Sequence, residues 1–226
     1  MKSNTKQVDE QLRIENMKDF EYQAYDNGYK RIAGLDEVGR GPIAGPVTVA
    51  AVILPKDFLL AGVNDSKLVS EKKRLRLAAE IKREALEWTV VHISPAEVDR
   101  VNILEATRKA MHAAAMALFP LPDFLLIDAV QIPDIDIRQY PLIKGDQRSV
   151  SIASASIIAK VERDHLMEAY DTMFPGYGFA RNKGYGTREH LQALRAKGPC
   201  KIHRRTFEPV RSLSGGYDGF QPGLFE

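Results

Sequence analysis

Four carboxylates follow apolar segments of the chain and are the first candidates for chemistry. Asp36 and Glu37 are adjacent and precede the turn 39–41, and Asp128 and Asp146 each follow a later apolar segment. Carboxylates buried together repel each other and take up protons unless solvent, a basic group or a metal ion compensates their charge. The alternative for Asp36 is a turn aspartate that caps a backbone amide.

Four oxygen donors without a neighbouring histidine or cysteine favour hard divalent ions, Mg²⁺ or Mn²⁺, over zinc. Two such ions roughly 4 Å apart can activate a water molecule and stabilise the leaving oxygen of a phosphodiester. That reaction needs no nucleophilic side chain, and the sequence offers no GxSxG motif. The absence of a GxxxxGK[ST] motif argues against NTP hydrolysis of the P-loop type.

Positive charge is concentrated towards the end of the chain. The net charge is only +2, yet residues 181–211 contain nine Lys or Arg against two Glu. An acidic body with one basic segment is typical of a protein that holds a phosphate-rich partner on one surface. The alternative is an ordinary solvated charged face.

Length and composition limit the class of protein. A chain of 226 residues with 44% hydrophobic residues can bury a core without cross-links. Cys200 is the sole cysteine, which excludes an internal disulfide and favours a reducing compartment. The first 20 residues lack a signal-peptide core, and no apolar run approaches 18 residues, so we expect a soluble cytoplasmic protein.

Hydrophobic periodicity predicts an alternation of strands and helices. The predicted strands are 31–35, 47–54, 88–93, 124–127 and 140–143, the first two forming a hairpin. The predicted helices are 71–86, two short helices that begin after Ser94 and Asn102, and a long helix from about residue 151. The acids follow predicted strand ends, which is where ligands collect in a sheet covered by helices.

Six separated segments carry a resemblance to a known family. They are DEVGRGPIAGPV at 36–47, DSK at 65–67, LLIDAV at 125–130, KGD at 144–146, SIASASIIAKVERD at 151–164 and KGYGT at 183–187. In this order they resemble bacterial ribonuclease HII over about residues 30–212. The resemblance implies an α/β, ribonuclease H-like fold: a mixed β-sheet flanked by helices, with a small helical C-terminal subdomain from about residue 175.

The same resemblance implies an activity and its residues. The activity is cleavage of the RNA strand of RNA/DNA hybrids and incision 5′ to single ribonucleotides in duplex DNA, leaving 3′-hydroxyl and 5′-phosphate ends. The catalytic and metal-binding acids carried over from the family are Asp36, Glu37, Asp128 and Asp146. Asp164, in the matched segment 151–164, is the candidate for a fifth metal-binding acid, but it is interpreted as structural, an ion-pair or capping element of its helix.

Substrate recognition is also implied by the resemblance. Gly39, Arg40 and Gly41 would contact the 2′-hydroxyl of the ribonucleotide, and small residues allow the main chain to approach it closely. Tyr185 would stack on the deoxyribose on the 3′ side and so sense the RNA–DNA junction. Without the resemblance, Tyr185 would be interpreted as an ordinary half-buried tyrosine.

Several basic residues are candidates for sequence-independent phosphate contacts. They are Lys67, Lys144 and Lys183, together with the run Lys201, Arg204 and Arg205. His190 and His203 lie in the same region and are interpreted as structural or phosphate-facing rather than as general bases.

The two ends of the chain are assigned differently. Residues 1–29 are predicted to be an extension, a short helix or partly ordered, and residues 213–226 a flexible Gly-rich tail. The tail contains Gln221, Leu224 and Phe225. Their spacing resembles that of the Gln-x-x-Leu-Phe peptides that dock bacterial proteins on the sliding clamp. The alternative is an inert tail.

Two other functions remain open from the sequence. One is a ribonuclease HIII-like hybrid nuclease, against which the region before residue 30 is too short for the DNA-binding domain typical of that relative. The other is a non-catalytic nucleic-acid-binding protein that uses the basic segment alone, against which four acids would weaken phosphate binding unless metals neutralise them. A monomer is expected, because a duplex must enter an open face.

Overall fold

The computed structural model describes residues 2–214, which contain a mixed five-stranded sheet. Its strands are β1 (Ile32–Val38), β2 (Val47–Ile53), β3 (Glu87–Ile93), β4 (Phe124–Asp128) and β5 (Arg138–Leu142). They lie in the order β3-β2-β1-β4-β5, with the β1–β2 and β2–β3 pairs antiparallel and the β1–β4 and β4–β5 pairs parallel. The predicted α/β class is confirmed.

Helices cover both faces of this sheet. They are α1 (Lys2–Asn16), α2 (Asp19–Asp26), α3 (Glu71–Glu84), α4 (Pro95–Val101), α5 (Ile103–Met116), α6 (Val150–Met173), α7 (Phe179–Asn182), α8 (Arg188–Lys197) and α9 (Val210–Leu213). Helix α5 packs on one face of β1, β2 and β3, and α6 packs on the other face together with α3. The central strands β1, β2 and β4 are therefore largely buried on both faces, as their apolar sequences require, whereas the edge strands β3 and β5 are partly exposed.

The predicted helix starts are confirmed by their side-chain hydrogen bonds. The Ser94 hydroxyl accepts from the Glu97 amide at 3.2 Å, and the Asn102 side chain accepts from the amides of Leu104 and Glu105. Each of these bonds satisfies an amide that a helix leaves without a partner in its first turn. These caps fix where α4 and α5 begin.

The N-terminal helices are part of the core. Ile14 and Met17 are buried against α6, and Glu21 of α2 is 5% exposed. The Glu21 carboxylate accepts from the Ser149 hydroxyl at 2.6 Å and from the Ser151 amide at 3.0 Å. An acidic group at the N-terminus of a long helix is favoured by the helix dipole, so α2 anchors the start of α6.

Gly34 sets the distance between the central strand and α6. A Cβ atom at this position would lie 2.2 Å from the main-chain carbonyl carbon of Ser151 and 2.5 Å from the amide nitrogen of Ile152. Real Cβ atoms do not approach main-chain atoms so closely. Strand β1 and the first turn of α6 can therefore pack only because residue 34 has no side chain.

The C-terminal helical region has its own core around two imidazoles. His190 and His203 are 0% and 1% exposed and pack against the rings of Tyr177 and Phe179. Burial lowers the pKa of both groups, and that of His203 falls to about 4. Both imidazoles are therefore neutral at physiological pH, which confirms the structural interpretation of this pair and excludes direct phosphate contact.

Within residues 2–214, no helix is long and apolar enough to cross a lipid bilayer.

We expect Gly34→Ala to lower the free energy of unfolding by at least about 2 kcal/mol, because the new methyl group forces β1 away from α6. Urea denaturation at constant pH measures the change. Gly186→Ala is the matched control, since its Cβ would meet its nearest neighbours at 3.6 and 3.7 Å, which are ordinary contact distances. Equal stability of the two variants would contradict the close-packing argument.

The buried neutral His203 predicts a specific pH dependence of stability. An unfolded chain protonates histidine near pH 6.5, whereas folded His203 has a pKa of about 4, so the unfolded state binds more protons between these values. The free energy of unfolding should therefore fall as the pH is lowered from about 6.5 to about 4, by up to about 3 kcal/mol from this group. Urea denaturation at pH 7.5, 5.5 and 4.5 should show a flatter dependence for His203→Gln than for the unsubstituted chain.

Candidate active site

The sheet register brings the predicted acids to one edge. Leu35 lies opposite Ile127 in the parallel β1–β4 pair, so Asp36 and Asp128, the next residues on each strand, lie side by side. Asp146 lies in the 3₁₀ turn Gly145–Gln147 that follows β5. The amide of Gly145 donates to Asp128 Oδ1 at 2.7 Å, which holds that turn against the end of β4.

Asp36 and Glu37 are strained electrostatically. Asp36 is 5% exposed, and burial raises its pKa well above the usual value, with further increases from Glu37, Asp128 and Asp146. Burial also raises the pKa of Glu37, although Arg40 lies 3.3 Å from its Oε1 atom and opposes that shift. The other oxygen, Oε2, is buried and has no hydrogen-bond partner among residues 2–214. Arg40 therefore compensates only part of the negative charge of the pair.

The pKa values of Asp128 and Asp146 are also raised by burial and by neighbouring carboxylates. Burial raises the pKa of Asp128, and the Gly145 amide and Lys67 oppose that rise. The pKa of Asp146 rises to about 6 through burial and through the negative charges of Asp65 and Asp128. All four predicted acids therefore lie close enough to destabilise one another's charged forms.

Asp65 is a fifth acid at this site, and the sequence argument did not single it out. It is 7% exposed, and its side chain raises the pKa of both Asp128 and Asp146. Its Oδ1 atom accepts from the Lys67 amide at 2.9 Å. The sequence signal for Asp65 is its place in the matched segment 65–67, in which Lys67 alone is predicted to be functional.

Lys67 is a second basic group near the acids, in addition to Arg40. Burial disfavours its ammonium group, but Asp65, Asp146, Asp36 and Asp128 together raise its pKa. The Lys67 side chain is exposed to solvent, and all four of these carboxylates contribute to the rise of its pKa. It is therefore placed to interact both with the carboxylates and with an anionic group that approaches from solvent.

The carboxylates are chemically suited to a hard cation, although they do not form a preformed metal site. Among residues 2–214, no three His, Cys, Asp or Glu side chains converge closely enough to form a ready-made metal site. The donor set consists of carboxylate oxygens, one of which is buried without a partner, and mutual repulsion raises the pKa values. Hard divalent ions prefer such oxygen donors, and their charge would relieve the repulsion.

The loop between β1 and β2 is held by two buried guanidinium groups. Arg163 of α6 donates to the carbonyl oxygens of residues 44, 46 and 183, and Arg204 donates to those of residues 39, 40 and 45. Gly39 has φ +90°, and a Cβ there would lie 2.2 Å from Arg163 Nε. The glycine is therefore required both by the backbone conformation and by the buried arginine.

This loop and Tyr185 face each other. The Tyr185 side chain is 45% exposed, and its Cε1 atom is 3.8 Å from the position of a Cβ on Gly41. Within the described residues, no hydrogen bond uses the backbone N–H groups of Arg40 or Gly41. The structure thus brings the 39–41 segment and the exposed tyrosine together, with main-chain donors available beside the ring.

The basic candidates have different environments. Lys144 is exposed next to the Asp146 turn, whereas the Lys183 ammonium group is 2.7 Å from Glu168 Oε1. The prediction that Arg204 contacts phosphate is wrong, because its side chain is 0% exposed and its guanidinium is used by the loop carbonyls. Arg204 therefore supports the 39–45 main chain from inside the protein.

Two further interpretations concern Asp164 and the tail. Asp164 lies 2.5 Å from the Lys160 ammonium and 3.8 Å from Arg74, so its assignment to an ion pair is confirmed. The tail residues Gln221, Leu224 and Phe225 lie outside the described residues.

Comparison with known proteins agrees with the resemblance found in the sequence. The chain matches the ribonuclease HII family over residues 33–210. It is 61% identical to a ribonuclease HII from Syntrophomonas wolfei over 220 residues, which cover 97% of this chain and 86% of that protein. The match therefore includes the segments that contain all four acids, the 39–41 turn and Tyr185.

Solved structures give the same fold. The crystal structure of ribonuclease H2 from Pyrococcus horikoshii has a TM-score of 0.68 at 24% identity, covering 82% of this chain and 98% of that one. The PCNA:RNase HII complex from Archaeoglobus fulgidus has a TM-score of 0.65 at 26% identity, covering 79% and 96%. Together with the family match over most of the chain, these likenesses establish that the protein belongs to the ribonuclease HII family of endoribonucleases.

Proposed function

We propose that this ribonuclease cleaves at the carboxylate cluster of Asp36, Glu37, Asp128 and Asp146, which together bind divalent metal. The observation that carries the proposal is the mutual repulsion of buried carboxylates at one edge of the sheet, including the unpartnered Glu37 Oε2 atom. Structural carboxylates are normally paired with cations or hydrogen-bond donors. A buried carboxylate cluster that is only partly compensated is typical of a functional site.

Mg²⁺ or Mn²⁺ fits the cluster best, because all the donors are carboxylate oxygens. When bound, such ions supply an activated water and stabilise charge on the leaving oxygen of the phosphodiester. In this proposal Asp36 and Asp128 hold the ions nearest the scissile phosphate, and Glu37 and Asp146 complete the binding. Asp65 adds negative charge beside Asp146, which strengthens the attraction for cations.

Lys67 has a separate role in the proposal. Its ammonium group senses the carboxylates of Asp65, Asp146, Asp36 and Asp128 while remaining accessible. It partly neutralises the free site and would contact a phosphate of the substrate once bound ions compensate the acids. Lys144, exposed on the neighbouring turn, would add a phosphate contact, and Lys183 would do so only by leaving Glu168.

Substrate choice is assigned to the 39–41 segment and Tyr185. The available N–H groups of Arg40 and Gly41 can donate to a 2′-hydroxyl, which is the one group that distinguishes a ribonucleotide from its DNA neighbours. Tyr185 presents an exposed ring beside them and would stack on the deoxyribose on the 3′ side. Cleavage 5′ to the ribonucleotide would leave 3′-hydroxyl and 5′-phosphate ends.

We expect Asp128→Asn to fold normally and to bind duplex while losing on the order of 100-fold or more in kcat, because one charge of the proposed metal site is removed. The measurement is incision of a duplex that contains one ribonucleotide, in Mg²⁺ or Mn²⁺. Asp136→Asn is the matched control, since Asp136 is an exposed acid on the loop after β4. Full activity of Asp128→Asn would remove Asp128 from the mechanism.

The same assay separates the alternatives. EDTA should abolish cleavage and leave some duplex binding by the basic residues. Binding with no cleavage in any metal would favour the non-catalytic nucleic-acid-binding protein. Cleavage restricted to long RNA/DNA hybrids, with no incision at a single ribonucleotide, would favour the ribonuclease HIII-like activity.

A bacterial sliding clamp is the proposed partner of the tail. The related Archaeoglobus protein was solved in complex with PCNA, and the tail here carries Gln221, Leu224 and Phe225 with the spacing of a clamp-binding peptide. A short tether that docks on a clamp raises the local concentration of the enzyme on DNA. The proposal therefore places the anchor outside the catalytic domain.

We expect the full chain to bind the clamp and Leu224→Ala/Phe225→Ala to lose that binding while cleaving short duplexes at an unchanged rate. Titration of the clamp by calorimetry measures the affinity. The isolated peptide 213–226 should compete. Absence of competition at roughly millimolar peptide, which corresponds to about 4 kcal/mol of binding free energy, would contradict the assignment.

A further inference from the structure

A chain of hydrogen bonds links the 200–203 segment to the main chain of Tyr185. The His190 Nδ1 atom is 2.8 Å from the Tyr185 carbonyl oxygen, and its Nε2 atom is 3.1 Å from Nε2 of His203. The remaining nitrogen of His203, Nδ1, accepts from the Cys200 amide at 3.0 Å. Each imidazole nitrogen in this chain therefore has a partner.

The hydrogen bonds allow one arrangement of protons. A carbonyl oxygen can only accept, so His190 carries its proton on Nδ1 and presents a lone pair at Nε2. His203 must then donate from Nε2, which leaves its Nδ1 lone pair free to accept from the Cys200 amide. Two neutral imidazoles with fixed tautomers thus point in one direction, from Cys200 to Tyr185.

The surroundings keep both rings in this orientation. Phe179 contacts His190 edge-on with ring centroids 5.2 Å apart, and the centroids of Tyr177 and His203 are 5.1 Å apart. The N-terminus of α8 adds a further restraint, since the Thr187 hydroxyl accepts from the His190 amide. Neither imidazole can rotate without breaking several contacts, so the pair is a rigid support.

The two imidazoles are buried, and their support reaches the half-exposed Tyr185. The carbonyl of Tyr185 also accepts from the Thr187 amide, while the preceding Gly184 carbonyl accepts from the amides of Ile43 and Ala44. The main chain on either side of the Tyr185 Cα atom is therefore fixed, and the half-exposed ring extends from it towards Gly41.

We propose that His190, oriented by His203, is a positioning residue that sets the placement of the Tyr185 ring beside Gly41 and thereby the preference of the enzyme for an RNA–DNA junction. The inference rests on the proposed function, in which Tyr185 contacts the nucleotide on the 3′ side. His190 itself is fully buried and acts only through the main chain of Tyr185.

Two amide substitutions at position 190 separate its two hydrogen bonds. The side-chain nitrogen of His190→Asn can occupy the position of Nδ1 and keep the bond to the Tyr185 carbonyl, but it cannot reach His203. The side chain of His190→Gln reaches the position of Nε2 and keeps the contact with His203, but it leaves the Tyr185 carbonyl. The two variants are matched in polarity and differ by one methylene group.

The readout is the ratio of kcat/KM on a duplex with one ribonucleotide to kcat/KM on a hybrid whose RNA strand has no junction with DNA. We expect His190→Gln to lower this ratio about tenfold, since small displacements of a positioning group are costly, and His190→Asn to keep it within about twofold of the unsubstituted enzyme. In the Tyr185→Ala background, both substitutions should leave the ratio unchanged.

Other results would overturn the inference. Equal losses on both substrates, equal ratios for the Asn and Gln variants, or the same loss in the Tyr185→Ala background would each show that His190 only stabilises the fold. If urea denaturation shows that the His190 variants do not fold, His203→Asn tests the same ratio, because it keeps the contact with the Cys200 amide and releases His190. Failure of the unsubstituted enzyme to incise at a single ribonucleotide would instead contradict the proposed function.

Discussion

Two buried cations, which have no carboxylate partner within residues 2–214, hold the loop beside the acid cluster. Arg163 and Arg204 are 0% exposed, and their guanidinium groups bind six main-chain carbonyl oxygens, five of them in the 39–46 loop. Burial lowers their pKa values to about 10 and about 9, which still leaves both charged at neutral pH. Loss of either group would leave several buried carbonyls without a donor, so the loop, its glycines and the neighbouring Lys183 carbonyl form one unit.

The acid cluster shows the opposite arrangement, in which several negative charges lie together and Arg40 and Lys67 compensate only part of them. Asp36, Glu37, Asp128 and Asp146 all have raised pKa values, and Asp65 adds to the repulsion. The protein tolerates this arrangement because the surrounding fold is extensively packed on both faces of the sheet. This repulsion favours the binding of a cation at the cluster, because positive charge relieves it.

The N-terminal helices connect the scaffold to this cluster. Glu21 binds the start of α6 through Ser149 and Ser151, only a few residues after the turn that carries Asp146. The same first turn of α6 packs on Gly34, two residues before Asp36. The beginning of one long helix therefore positions acids from two different segments of the chain, and a segment without recognisable chemistry contributes to that positioning.

Local sequence determined the elements and the chemical character of the site, because periodicity, caps and adjacent acids act over a few residues. Ser94 and Asn102 cap their helices as predicted. The acids lie at the predicted strand ends, although β1 extends through Asp36 and Glu37 and β4 includes Asp128, so that only Asp146 follows its strand. Only the tertiary structure placed Asp65 among the acids, buried Arg204 away from phosphate and joined His190 to Tyr185. Those roles depend on contacts between residues far apart in the chain, and a basic or acidic side chain carries no local signal that tells whether its partner is solvent, a carbonyl oxygen or another charge.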